Sequence, residues 1–94
     1  MASPDDAYKL AERNITSFFN DLQLFETRLK RLIQMLMECR KAEDVETSMK
    51  CVEEFAEELK YLIERMDTMT EELNTAYNAL RRLLDIYYSI NRRH

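Results

Sequence analysis

Cys39 and Cys51 are the chain's two thiols, and they stand twelve positions apart. That spacing matches neither a Cys-x-x-Cys redox motif nor a zinc-ligand set. Arg40, Lys41 and Lys50 lie beside them and would favour a thiolate, but neither cysteine has a neighbouring base. In a reducing compartment both read as small hydrophobic side chains, with a disulfide the lesser alternative.

The carboxylates are the next candidates. Glu53 with Glu57, and Glu54 with Glu58, have the i, i+4 spacing that puts two oxygens on one helix face. A carboxylate metal site in a helical bundle adds a Glu-x-x-His partner, and the only histidine is His94, the last residue. These glutamates therefore read as a solvated face or as partners for basic residues. Ser89 is the serine nearest that histidine, and without glycine no phosphate-cradling loop can form. An internal histidine, the commonest general base, is missing too. The expectation is a protein that is not an enzyme, with no catalytic, cofactor-binding or metal-binding residues and no small-molecule substrate.

Nucleic-acid binding would rest on Arg81, Arg82, Arg92 and Arg93, in a chain of net charge −4. Phosphate attraction calls for a larger basic face. The four arginines read instead as complements to the C-terminal helix dipole and to Asp5 and Asp6.

These residues must be positioned by helices. The chain has 94 residues, no glycine and a single proline, Pro4, so turns and hairpin loops have little to work with. Ser3-Pro4-Asp5-Asp6 is a helix start: a capping serine, a proline at the first helical position and acids at the positive dipole end. From there a 3,4 spacing selects Tyr8, Ala11, Ile15, Phe18, Leu22, Phe25, Leu29, Leu32, Leu36 and Cys39. The register would next place Glu43 and Glu46 in the core, so it breaks near residues 40–44, with the turn at about 41–44. A second register runs through Val45, Ser48, Val52, Phe55, Leu59, Leu62, Met66, Met69, Leu73, Ala76, Leu80, Leu83, Tyr87 and Ile90. Thr68-Met69-Thr70-Glu71 resembles a capping box, but the heptad phase passes through it unchanged.

The fold expected is all-α: one domain over residues 1–94, with helices at about 4–40 and 45–92 folded into a long antiparallel hairpin. Charge favours that direction. Residues 28–41 carry five basic side chains, and residues 43–72 carry eleven acidic ones. A helix rises about 1.5 Å per residue, so the shorter first helix should run out near Leu80, leaving Leu83–Ile90 projecting. The apolar stripes are also too broad for two helices alone, because Phe19, Ile33, Ile63 and Tyr77 lie outside the main seam. Completion of a four-helix bundle or coiled coil by oligomerisation follows. The candidate protein interface is Leu80, Leu83, Leu84, Ile86, Tyr87, Tyr88 and Ile90, with Phe19 and Ile33.

The functional expectation is a non-enzymatic assembly protein that binds itself or another helical subunit, as a homodimer or hetero-oligomer. One alternative is a peripheral membrane module using the amphipathic tail from Arg81 to His94; the other is an accessory subunit of a nucleic-acid-associated complex. The opening MASPDD lacks the basic and then apolar pattern of a signal peptide, and no uncharged run is long enough to span a bilayer. A cytoplasmic or nuclear setting is expected.

Overall fold

A computed structural model describes residues 3–92. It consists of two helices, α1 (Pro4–Lys41) and α2 (Val45–Arg92), packed antiparallel as a hairpin. No helix among the described residues is long and apolar enough to cross a membrane. Arg93 and His94 lie outside the described residues, so the expectations placed on them are not addressed.

The start of α1 is a reciprocal cap. Ser3 Oγ accepts the Asp6 amide at 3.3 Å, and the Asp6 carboxylate accepts the Ser3 amide at 3.4 Å. Asp5 pairs with Lys9 at 3.0 Å. Both acids expected to reach across to Arg81 and Arg82 are thus engaged within their own first turn. At the other end Arg40 and Lys41 occupy the last turn, where cations complement the dipole. Asp44 then caps α2, its carboxylate accepting the Thr47 amide at 2.7 Å and the Thr47 hydroxyl at 3.0 Å. Helix α2 continues through Thr68 without a break.

Contacts divide the chain into two compact units. A turn unit covers Leu22–Thr68, and an end unit combines, among the described residues, 3–21 with 69–92.

In the turn unit Leu32, Cys39 and Leu62 are buried, Leu62 to 2% exposure, with Phe25 and Phe55 half-buried. Their expected companions in the seam, Leu29, Leu36, Leu59 and Met66, are exposed. Arg28, Met35, Glu58 and Arg65, each one residue earlier, take the half-buried places. The reason begins with the cysteines, which are bonded to each other rather than serving as small hydrophobic side chains. The connection of Ala42, Glu43 and Asp44 brings Cys39 and Cys51 level, with Cα atoms 5.4 Å apart. That bond sets the inward row of α2, while Cys39 keeps the seam place that the 3,4 spacing gives it on α1. It draws Cys51, not Val52, into the seam, and Glu58 and Arg65 follow at seven-residue intervals. Arg28 fits there because its apolar stem can be covered while its guanidinium lies 4.4 Å over the Tyr61 ring and 3.8 Å from Glu58. Closing a loop with a sequence separation of 12 is worth about 3 kcal/mol in the chain-entropy account.

The end unit has the same offset for a different reason. Ala11, Ala76 and Ala79 form one buried cluster with Leu10 packed against it, and Ala7, Met69 and Leu83 are buried as well. Small side chains in a seam permit close approach of the backbones, and the larger Tyr8, Ile15, Leu73 and Leu80 stay exposed. Asn14 is half-buried, its amide donating to the Leu10 carbonyl at 2.9 Å.

The expected overhang is shorter than the length difference implied. Leu83 is only 5% exposed, and the Tyr8 and Tyr87 hydroxyls share a hydrogen bond of 3.0 Å. Because Cys39 stands level with Cys51, the first turn of α2 lies beside the connection instead of beside α1. Each α1 residue therefore meets α2 several positions later than a turn centred on residues 41–44 would give.

Two outcomes test this packing. Leu62→Ala should cost about 2–5 kcal/mol in chemical unfolding, whereas Leu59→Ala, from an exposed row, should cost well under half of that. The lowered pKa of Asp44, caused by the Thr47 amide and then the Thr47 hydroxyl, means that its cap is complete above the ordinary value of 3.8. The cap is lost as pH falls through the lowered folded-state value. Asp44→Asn, which caps without titrating, should abolish the acid-induced loss of hydrogen-exchange protection in the first turn of α2.

Candidate helical docking face

The exposed apolar rows fall on one side of the hairpin by geometry alone. Successive residues of an α-helix turn by about 100°. A row one position after an alternate seam row is therefore displaced to the same flank in both members of an antiparallel pair. Tyr8 and Tyr87 both belong to such rows in the end unit, and their hydroxyls meet.

In the turn unit this flank carries Leu29 and Leu36 from α1 and Val52 and Leu59 from α2. Ile33, 60% exposed, and Ile63 extend it outward. At its edge by the connection, an open recess of about 500 Å³ is lined by Val45, Ser48, Met49 and Val52 between Glu43, Asp44 and Glu53. The opposite flank has another character. Arg28, Glu58 and Tyr61 form their ion-pair and stacking cluster there, and a second recess is lined by Arg31, Met35, Glu53, Glu54, Glu57 and Glu58. Of the carboxylates considered for chemistry, Glu58 engages Arg28, while Glu53, Glu54 and Glu57 are exposed. No group of His, Cys, Asp and Glu that could hold a metal ion occurs among the described residues.

The end unit has its own apolar flank, made by Tyr8, Ile15 and Phe19 from α1 and by Leu73, Tyr77, Leu80, Leu84 and Tyr87 from α2. Phe19, Ile33, Leu80, Leu84 and Tyr87 from the candidate interface thus lie on apolar flanks. Ile90 is exposed beyond the last buried position of its row, and Tyr88 lies one row farther out. Leu83 is covered within the hairpin and Ile86 is half-covered. Arg92 occupies the last turn of α2, where it complements the dipole.

Sequence reasoning placed Leu29, Leu36, Leu59 and Leu73 inside the hairpin and so missed them as surface. The 3,4 spacing could not correct this, because the row pair containing Leu29 and the pair containing Arg28 obey it equally well. The breadth of the stripes was the available signal.

Six half-exposed side chains on the turn-unit flank, from Leu29 to Ile63, would gain roughly 5–9 kcal/mol gross if covered. Two such flanks together would gain about twice that, comparable to or larger than an association cost of about 4–15 kcal/mol.

The Tyr87 phenol is raised above its ordinary 10.0, first by the hydrogen bond with Tyr8, then by desolvation and by the Tyr8 charge. A raised folded-state value makes the contact's contribution complete below pH 10.0 and lost as pH climbs through the raised value. In Tyr8→Phe, phenolate absorbance should show one tyrosine returning toward the ordinary value. If the four remaining tyrosines titrate as they did before the substitution, the contact is refuted.

Searches against protein-family models, curated proteins and solved structures found no match to this chain.

Proposed function

We propose that this hairpin is one half of a helical bundle: a non-enzymatic assembly protein whose apolar flank packs against a second helical subunit, either another copy of itself or a different chain. The observation that carries the proposal is an angle. The most apolar row pair on each helix is offset from the pair that faces the other helix by one residue at every second position. Half of a residue's turn is about 50°. In a square array of four helices, the shared core lies about 45° away from the line joining two neighbours. The apolar stripes therefore aim where the centre of a four-helix bundle would be, and the two helices deviate toward the same side.

Ala11, Phe25, Leu32 and Leu62 would then serve both the hairpin seam and the wider core. The flank rows, including Leu29, Ile33, Leu59 and Ile63, would serve the core between subunits. Arg28, Glu58 and Tyr61 would remain on the outside. The Cys39–Cys51 bond weighs against the cytoplasmic or nuclear setting expected from the sequence, because reducing compartments keep such thiols unbonded.

Light scattering on the full chain should give a mass of at least twice 11.3 kDa. Ile33→Asp and Leu59→Asp, on the exposed flank, should leave helicity intact while weakening assembly by tenfold or more, the equivalent of about 1.4 kcal/mol. Leu62→Asp, inside the hairpin, should unfold it. A full-length chain that stays monomeric at micromolar concentration defeats self-association, and equal tolerance of Leu59→Asp and Leu62→Asp defeats the assignment of rows.

A further inference from the structure

We propose that the Cys39–Cys51 bridge is a site of exchange with dithiols, and that its redox state gates the apolar flank of the turn unit. The gating rests on the assembly reading above; the exchange does not.

Three observations converge on the bridge. First, its two sulfurs differ in access: Cys39 is buried and Cys51 only partly so. An incoming thiolate therefore reaches Cys51 Sγ more readily. Arg40, Lys41 and Lys50 stand next to the two cysteines in sequence and supply positive charge toward that thiolate. Second, the Met35 carbonyl oxygen lies 4.0 Å from Cys51 Sγ, placed to accept the S–H that reduction would create. Third, the bridge joins Cys39, which the 3,4 spacing already places in the seam, to a row of α2 that the sequence alone would not choose. Around it sit Arg28, Glu58 and Arg65, while Leu29, Leu36, Val52 and Leu59 are held outside.

The exchange balances without a further oxidant. One thiolate of the dithiol bonds to Cys51 Sγ, the Cys39–Cys51 bond breaks, and Cys39 leaves as a thiolate that takes up a proton. The dithiol's second sulfur, as a thiolate, then attacks its own first sulfur. Cys51 is released, takes up a proton, and the dithiol becomes a cyclic disulfide. Two electrons pass from the dithiol to the protein.

Once the bond is gone, no covalent hold on the turn unit's rows remains, and its stretches of the two helices are free to turn by about 50° while the end unit's alanines keep their own rows. The row containing Leu29 and Leu36 can then turn inward against the row containing Val52 and Leu59. Such a rotation satisfies the hairpin with its own most apolar side chains and withdraws them from a second subunit. The oxidised chain presents the flank and the reduced chain conceals it.

The test treats the full-length oxidised protein with dithiothreitol in the absence of denaturant, traps thiols with iodoacetamide and weighs the product. Sedimentation velocity then compares dissociation constants before and after reduction, with far-UV circular dichroism confirming that the helices persist. Addition of two alkyl groups per chain and a rise of at least about tenfold in the dissociation constant are expected. Cys39→Ser combined with Cys51→Ser should match the reduced protein; if that variant does not fold, chemical reduction of the unaltered chain decides. Alkylation that requires denaturant overturns the exchange. Equal dissociation constants in both states overturn the gating. A monomer in both states overturns self-association and the gating of it, while alkylation still judges the exchange separately.

Discussion

Two helices that meet along a seam must choose which rows of side chains face each other, and in this hairpin a covalent bond makes the choice at one end and four alanines make it at the other. The Cys39–Cys51 bridge holds Cys51 where Val52 would otherwise lie, and every later position of the turn unit inherits that rotation. Ala7, Ala11, Ala76 and Ala79 accompany the same offset in the end unit, where small side chains permit close approach of the backbones. The exposed leucine rows, the stacking of Arg28 on Tyr61 and the contact between Tyr8 and Tyr87 are consequences of that choice.

A seam containing Arg28, Glu58 and Arg65 is a weak source of stability taken alone. The Arg28–Glu58 pair is partly solvated, and a pair of that kind contributes little beyond about 1 kcal/mol. Leu32 and Leu62 supply the dry contacts of the turn unit, and the bridge lowers the entropy of the unfolded chain around them. The caps at Ser3 and Asp44 fix where each helix begins, but they do not bear on its rotation. Helix existence and helix orientation therefore have separate physical origins in this molecule.

That separation explains what could be read in advance. The ends of α1 and α2 were legible because Ser3, Pro4 and Asp44 act locally, through groups within one turn of each other. Antiparallel pairing was legible from the short connection and from the opposite charges of residues 28–41 and 43–72. Rotation was not legible, since Leu29 and Arg28 are equally compatible with 3,4 spacing and hydrophobicity prefers Leu29. Nor was the bridge: Cys39 and Cys51 carry no motif, and their proximity appears only once the level of the two helices is known. The extent of the overhang depended on that same level, so it was misjudged together with it.

The preference for Leu29 over Arg28 was nevertheless informative about something other than the hairpin. A periodic pattern in a sequence records the direction in which a helix is most apolar, and that direction points at the centre of all its neighbours combined. When one neighbour lies within the chain and another does not, the pattern and the observed seam must disagree. The most apolar direction bisects the angle between the two contacts. An offset of about 50° in the same sense on both helices is therefore the trace that a missing pair of helices would leave on a hairpin.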